Sequence, residues 1–393
     1  MKEKNSSLSE FYKKLAKEDR SNILDLQKKT KLDLVSTGSW ILDSIIGDGT
    51  MTGTAGGLPR GHIVEVFGDE SSGKTTLALS AIKQVQKKGG FAALIDFEET
   101  FHSIYAQKIG VDLDPEKLIV AQPPHFQKGA SLIVNLIREV RPPLIVVDSV
   151  SAMLPKEMLE GAVDEAGGIG LQARLMSASL SYITKFLKES NTCLLFLNQL
   201  RSMIKKSKWD TGPDEETSGG RALRYYSSVR LKLKKGAVEK VDIINKLTGA
   251  KGKDPINVTV NATVVKNKID KPWLSAPVYI RFGEGFDNIL SVVELAINTG
   301  VIKKAGAIYT FDYEGGSLKV SGKEKMRKAL EENDKIFDQL RAKITVKEDE
   351  KTKEDYKNFN QNDESSGDIM EEILDNTSAN YMDKKKKDGN PEE

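Results

Sequence analysis

The chain has 393 residues, 39% hydrophobic and 30% charged, enough for two or three domains around a sizeable core. Its longest apolar runs are strand-sized, its first residues lead into no apolar signal region, and its single cysteine, Cys193, allows no internal disulfide. A soluble cytoplasmic protein with no membrane association is expected, and a histidine-rich metal site is excluded by the scatter of His62, His102 and His125.

Residues 1–35 form a lysine-rich helical preface, with Leu8, Phe11, Leu15, Ile23, Leu24 and Leu26 at helical spacing. It is either a solvated helix or an oligomerisation arm that packs on a neighbouring subunit. Asp48 to Gly56 is rich in glycine and threonine and reads as a surface loop. Strands and helices then alternate. Strands are expected at His62 to Phe67, Phe91 to Asp96, Leu118 to Ala121, Leu144 to Asp148 and Thr192 to Leu197. Helices are expected from Leu77 to Lys88, Ile104 to Ile109, Gly129 to Val140 and Leu171 to Glu189. Unbroken apolar strands between helices predict an α/β fold with a mostly parallel central sheet covered on both faces. After Ser227 the strands alternate, at Val229 to Leu233, Asn257 to Lys266 and Ala276 to Phe282, as an antiparallel extension. Helices at Ile289 to Thr299 and Lys323 to Leu340 complete a small C-terminal α+β unit. The expected division is 1–35, a core over 36–282, a C-terminal domain over 283–344, and a disordered acidic tail over 345–393. That tail carries 15 acidic and 8 basic residues, so the net charge of +2 leaves a basic body suited to a polyanionic partner.

The stretch Gly68-Asp69-Glu70-Ser71-Ser72-Gly73-Lys74-Thr75-Thr76 fits G-x-x-x-x-G-K-[ST] between a strand and a helix. In that context backbone N–H groups cradle a polyphosphate, Lys74 reaches the β/γ-phosphates, and Thr75 ligates Mg²⁺. Asp148, ending a buried strand, suits the acidic residue that holds the Mg²⁺. Hydrolysis also needs a base; Glu98 and Glu99 follow the strand ending at Asp96, and spacing alone does not choose between them. Gln199, just beyond the strand Thr192 to Leu197, is placed to sense a γ-phosphate. The following loop, Ser202 to Ser218, has no apolar periodicity and carries Lys205, Lys206, Lys208 and Trp209 before Gly219 and Gly220. Lysines beside an aromatic suit single-stranded nucleic acid, with charge for phosphates and a flat face for bases. A second expected mobile segment, Glu157 to Gly170, contains Gly167-Gly168-Ile169-Gly170 before a helix bearing Arg174.

The chain resembles the bacterial RecA family of ATP-dependent DNA strand-exchange proteins. The resemblance rests on Ser36-Thr37-Gly38-Ser39, Gly57-Leu58-Pro59, Gly68 to Thr76, Ile104-Tyr105-Ala106, Gly110-Val111-Asp112, Val146 to Val150, Asn198-Gln199-Leu200-Arg201, Gly219-Gly220 and Val264-Val265-Lys266-Asn267-Lys268, in the family's order. It implies an ATP and Mg²⁺ requirement, a phosphate-loop ATPase core, and a helical filament on single-stranded DNA that pairs with homologous duplex. Single-strand-binding and loader proteins are the implied auxiliary partners. It selects Glu98 as the catalytic glutamate, Tyr105 as the residue stacking on adenine, and Gln199 as the link between γ-phosphate and DNA. The segments 157–170 and 202–218 become the two DNA-binding loops, with Arg174 and Arg201 at contacting positions. Lys266 and Lys268 match lysines that reach the ATP of the neighbouring protomer, and Tyr225 takes an interfacial aromatic position. Two residues at i and i+2 on a strand share a face, so such a pair can neutralise one polyphosphate.

The departures mark a divergent member. Ile169 replaces a methionine that wedges between base triplets, and the second loop is slightly longer. Ile289 and His102 stand where an adenine-packing tyrosine and an aspartate are expected, and residues 48–56 are an insertion. A hexameric helicase sharing this core is the rival enzyme, disfavoured because Lys266-Asn267-Lys268 stands where such helicases place an arginine finger. A non-catalytic mediator is disfavoured by the retention of Lys74, Glu98 and Asp148.

Overall fold

The apolar strands and amphipathic helices build the expected layers. The computed structural model describes residues 32–47, 56–161, 165–202, 215–244 and 251–344. The N-terminal helical preface, the insertion through residue 55, Lys205, Lys206, Lys208, Trp209 and the acidic tail lie outside them. The core runs β1 (Leu34–Val35), α1 (Trp40–Ile46), β2 (Leu58–Pro59), β3 (Ile63–Gly68), α2 (Lys74–Lys87), β4 (Ala92–Asp96), α3 (Ser103–Ile109), β5 (Leu118–Ala121), α4 (Phe126–Asn135) and β6 (Leu144–Asp148). It continues through α5 (Lys156–Leu159), α6 (Glu165–Ser190), β7 (Cys193–Ser202), β8 (Glu215–Thr217), α7 (Gly220–Tyr226), β9 (Val229–Ile244), β10 (Lys251–Asn267), β11 (Ser275–Arg281) and β12 (Gly285–Phe286). After it come α8 (Asn288–Asn298), β13 (Lys303–Ala305), β14 (Ile308–Tyr313), β15 (Gly316–Ser321), α9 (Lys323–Glu331) and a last helix over 334–344.

Among the described residues the main sheet has ten strands, ordered β12-β11-β10-β9-β3-β7-β6-β4-β5, with β8 on the end of β7. From β9 through β5 each neighbour is parallel, and β9 to β12 form the antiparallel extension. Alternation assigns the two faces. Ile63, Ala93, Ile95, Ile145, Val147, Leu194 and Phe196 pack with residues of α4, α6 and α7. Val64, Val66, Ala92, Leu94, Leu144, Val146, Leu195 and Leu197 pack with residues of α1, α2 and α3 on the other side. Each Val, Leu, Ile or Phe among them contributes about 1.5–3 kcal/mol by leaving water. Cys193 lies in this second layer as a fully buried core residue, and burial pushes its thiol up to about 12.

The motif Ser36 to Ser39 serves α1. Buried Asp43 accepts from Thr37 N and Thr37 Oγ1, both at 2.7 Å, and from Ser36 Oγ at 2.5 Å, while Ser39 caps the helix. Val292, Val293, Phe311, Met326, Leu330, Leu340 and Ile344 form a separate C-terminal cluster. Asp287 begins this unit as N-cap of α8 and pairs with Arg327 at 2.6 Å and Arg281 at 3.2 Å.

Several boundaries differ from the sequence expectation, each for a local reason. α6 begins at Glu165, so Gly167 to Gly170 lie inside the helix rather than ahead of it. Adding a turn to an existing long helix requires only propagation, which glycine weakens without preventing. Glu157 to Leu159 lie in α5 and Glu165 to Gly170 in α6, so the described residues of this expected loop are mostly helical. The expected helix Lys323 to Leu340 is two, broken at Asn333, whose carbonyl accepts from Ile336 and Phe337 to start the second. β9 and β10 form a far longer hairpin than the apolar alternation marks, with Pro255 at a register shift, where its missing N–H is tolerated. Residues 215–217, expected in the second loop, pair with Leu200 to Ser202 as β8.

Candidate active site

β3 ends at Gly68 and α2 starts at Lys74, so the phosphate-loop motif is a turn between a buried strand and a helix N-terminus. Gly73 holds φ 90° as the cap of α2, and a Cβ there would lie 2.4 Å from Ile280 Cδ1. At Gly68 a Cβ would lie 2.0 Å from Leu233 O, on the neighbouring strand. Glu70 and Ser71 are exposed on the loop's outer side, and the buried Ser72 hydroxyl has no protein partner.

Lys74 folds back over the loop, its ammonium donating to Gly68 O at 3.0 Å and Asp69 O at 2.7 Å. Burial lowers its pKa, opposed by the charges of Asp148 and Glu98. One residue on, Thr75 Oγ1 donates to Asp148 Oδ2 at 3.3 Å. Asp148 ends β6 in register with Asp96 at the end of β4. Its carboxyl is pushed up to about 7, first by burial and then by the charges of Glu98 and Asp96. The hydroxyl, the acidic strand end and the orphaned Ser72 hydroxyl beside a lysine form a donor set that fits a polyphosphate with Mg²⁺, a cation that prefers oxygen ligands.

Glu98 and Glu99 separate sharply. Glu98 is half-buried, and its Oε1 accepts from Ser149 Oγ and from Gln199 Nε2, the latter at 3.1 Å. Glu99 is exposed and left-handed, at φ 55°. Asp96 holds the same strand end by accepting from Phe101 N at 3.0 Å and Gln122 Nε2 at 3.1 Å. Thr76 Oγ1 and the Tyr105 hydroxyl are 2.7 Å apart, and His102 caps α3 by accepting from Tyr105 N. Lys74, Thr75, Thr76, Glu98, Tyr105, Asp148 and Gln199 therefore converge on one edge of the sheet.

Other expected site residues stand elsewhere. Lys266, next to last in β10, donates to Arg224 O at 2.6 Å and Tyr225 O at 3.0 Å, at the C-terminal end of α7. Burial, then Lys268 and Arg230, lower its pKa to about 8. Lys268 follows, its backbone N–H on Ser228 O at 2.9 Å. Tyr225 is 66% exposed beside them. Arg174 on α6 and Arg201 on β7 are exposed, and Gly219 and Gly220 open α7. Ile169 lies on the first turns of α6. Ser149, Asp96 and Gln122 were missed from the sequence. So was a buried trio, Asn198, Glu65 and Arg230; Glu65 was legible as the one charge inside an otherwise apolar strand.

The ten-strand sheet, the loop at the end of β3 and the acidic ends of β4 and β6 define an α/β phosphate-loop protein of the nucleotide-binding class. Comparison with known families narrows that class. The RecA N-terminal domain model matches residues 2–287 and the RecA C-terminal domain model matches residues 290–348, and the chain belongs to the RecA family. It is 40% identical to Protein RecA of Thermus thermophilus over 324 residues, 82% of this chain and 87% of that one. Protein RecA of Mycoplasma genitalium is 41% identical over 327 residues, 83% and 88% of the two chains. That of Chlorobaculum tepidum is 37% identical over 345 residues, 88% and 92%. No described helix is long and apolar enough to cross a membrane.

Proposed function

We propose that the chain is a DNA-dependent ATPase that coats single-stranded DNA as a helical filament and pairs it with homologous duplex, in recombination and repair. Family membership supports the recombination role, and the observation that carries the mechanism is the placement of Gln199. Its side chain donates to Glu98. Its backbone belongs to β7, whose end pairs with β8 at the close of the second loop. A change at the γ-phosphate is thereby felt where DNA is expected to bind.

The chain's own groups divide the work. Bound Mg²⁺–ATP supplies the phosphoryl group and neutralises part of its charge. Lys74 adds an ammonium at the loop, and Thr75 with Asp148 provides the oxygen ligands for the metal. Glu98 orients the attacking water and accepts its proton, its own position fixed by Ser149 and Gln199. Tyr105 offers a ring beside α2 for adenine. Lys266 and Lys268 reach the ATP of the next protomer, with Tyr225 at the same interface. An anionic polyphosphate opposes the burial and cationic neighbours that depress Lys266, so docking restores its full charge. Arg174, Arg201, Ile169, Lys205, Lys206, Lys208, Trp209, Gly219 and Gly220 form the DNA side, and the 1–35 arm joins protomers.

The test is nucleotide-dependent affinity for a labelled oligo-dT, followed by strand exchange with a homologous duplex. Binding at least tenfold tighter with a non-hydrolysable ATP analogue than with ADP is expected, with exchange only when ATP is present. Equal affinity in both nucleotide states contradicts the reading.

A further inference from the structure

One ion pair is buried within the sheet itself. Arg230 Nε donates to Glu65 Oε2 at 2.5 Å, with Glu65 at 0% and Arg230 at 7% exposure. The two are register partners on the parallel strands β3 and β9. Such a pair is a poor stabiliser, because its desolvation offsets its attraction, and apolar residues of similar volume often serve the fold as well. Its connections suggest another use. The second carboxylate oxygen, Glu65 Oε1, accepts from Asn198 Nδ2 at 2.9 Å. The same amide nitrogen donates to Ser218 O at 2.9 Å, where the second loop rejoins the core. Asn198 Oδ1 accepts from the backbone N–H of Gln199 at 2.9 Å. On the other flank, the Arg230 guanidinium carbon lies 4.5 Å from the ring centroid of Phe67, the residue before Gly68, and Arg230 is in register with Lys266.

We propose that the Glu65–Arg230 pair is a positioning element that couples the nucleotide to the second loop, by locking Asn198 between Gln199 and Ser218. The inference rests on the functional reading above. Neither residue touches the reacting atoms. Glu65 gives Asn198 a fixed, charged acceptor, and Arg230 prevents that carboxylate from turning. With Asn198 held, a displacement of Gln199 is transmitted to the Ser218 carbonyl. Without the anchor, Asn198 turns with Gln199, and the loop no longer reports the nucleotide state.

The test replaces both partners together, Glu65→Met with Arg230→Met, which avoids leaving one uncompensated buried charge. Three quantities are read: melting temperature, affinity for a fluorescent ATP analogue without DNA, and the ratio of oligo-dT dissociation constants with ADP and with a non-hydrolysable ATP analogue. The expected result is an undiminished melting temperature, nucleotide affinity within about twofold of wild type, and a ratio reduced at least about tenfold, a coupling loss of about 1.4 kcal/mol. A ratio equal to that of wild type overturns the inference. Should the double variant fail to fold, Arg230→Lys gives the second reading. It keeps the charge but loses the planar donor that meets both Glu65 and the Phe67 ring, so the ratio should fall at least about threefold. An unchanged ratio there also overturns the inference. If wild-type protein shows no nucleotide dependence at all, the functional reading fails and takes this inference with it, an outcome distinct from a normal wild-type ratio preserved in the variants.

Discussion

Lys74→Ala is expected to lose nucleotide-dependent binding to single-stranded DNA altogether while the fold survives. The Lys74 ammonium is half-buried over the loop and is held at its mouth by the carbonyls of Gly68 and Asp69. Charge-assisted hydrogen bonds of this kind are worth roughly 1.5–3 kcal/mol each, so ATP affinity should fall about 10- to 100-fold. The fold should tolerate the change because burial already disfavours this charge, as its depressed pKa shows. Melting curves, a fluorescent-nucleotide titration and an oligo-dT binding assay check the three parts. ATP-dependent DNA binding retained by this variant would overturn the assignment of the loop as the switch.

Glu98→Gln is expected to separate binding from turnover. A glutamine at this position still offers an oxygen to Ser149 Oγ and Gln199 Nε2, so the local geometry is preserved. It cannot accept a proton from water, and loss of a positioned general base lowers turnover by roughly 10²–10⁴-fold. Nucleotide affinity and DNA binding with ATP should remain within a few-fold of wild type, since neither needs that proton transfer. Steady-state hydrolysis with single-stranded DNA gives the result directly. Undiminished hydrolysis would move the base elsewhere, although exposed Glu99 has no hydrogen bond to Gln199 or Ser149 among the described residues.

The sequence foreshadowed the sheet well because buried parallel strands are short, apolar and bounded by turns. Leu144 to Asp148 has its expected extent, and the strand at Cys193 starts within a residue of the expectation but runs on to Ser202, past the expected end at Leu197. It foreshadowed the β9–β10 hairpin poorly, since Lys234, Lys235, Glu239 and Lys240 on an exposed ribbon lack the alternation that a packed face imposes. The phosphate loop was legible from one contiguous stretch, Gly68 to Thr76. Gln199 was legible from its place at a strand end, but its hydrogen bond to Glu98 joins residues about a hundred positions apart, and spacing carries no sign of it. The same holds for Asn198, Glu65 and Arg230, whose partnership arises only when β7, β3 and β9 lie side by side. Glu98 could be told from Glu99 by family resemblance alone; the structure adds a physical difference, one carboxylate hydrogen-bonded and half-buried, the other turned to solvent.

Lys266 stands apart from the residues gathered at the phosphate loop. Within one chain it is bound to the end of α7 and not to the phosphate loop, so in the proposed mechanism the catalytic site is completed by a neighbour. Negative-stain microscopy of the protein with long single-stranded DNA, with and without ATP, is the decisive measurement. A continuous, striated helical filament that requires ATP is the predicted result. Closed rings, or DNA left bare in the presence of ATP, would contradict it.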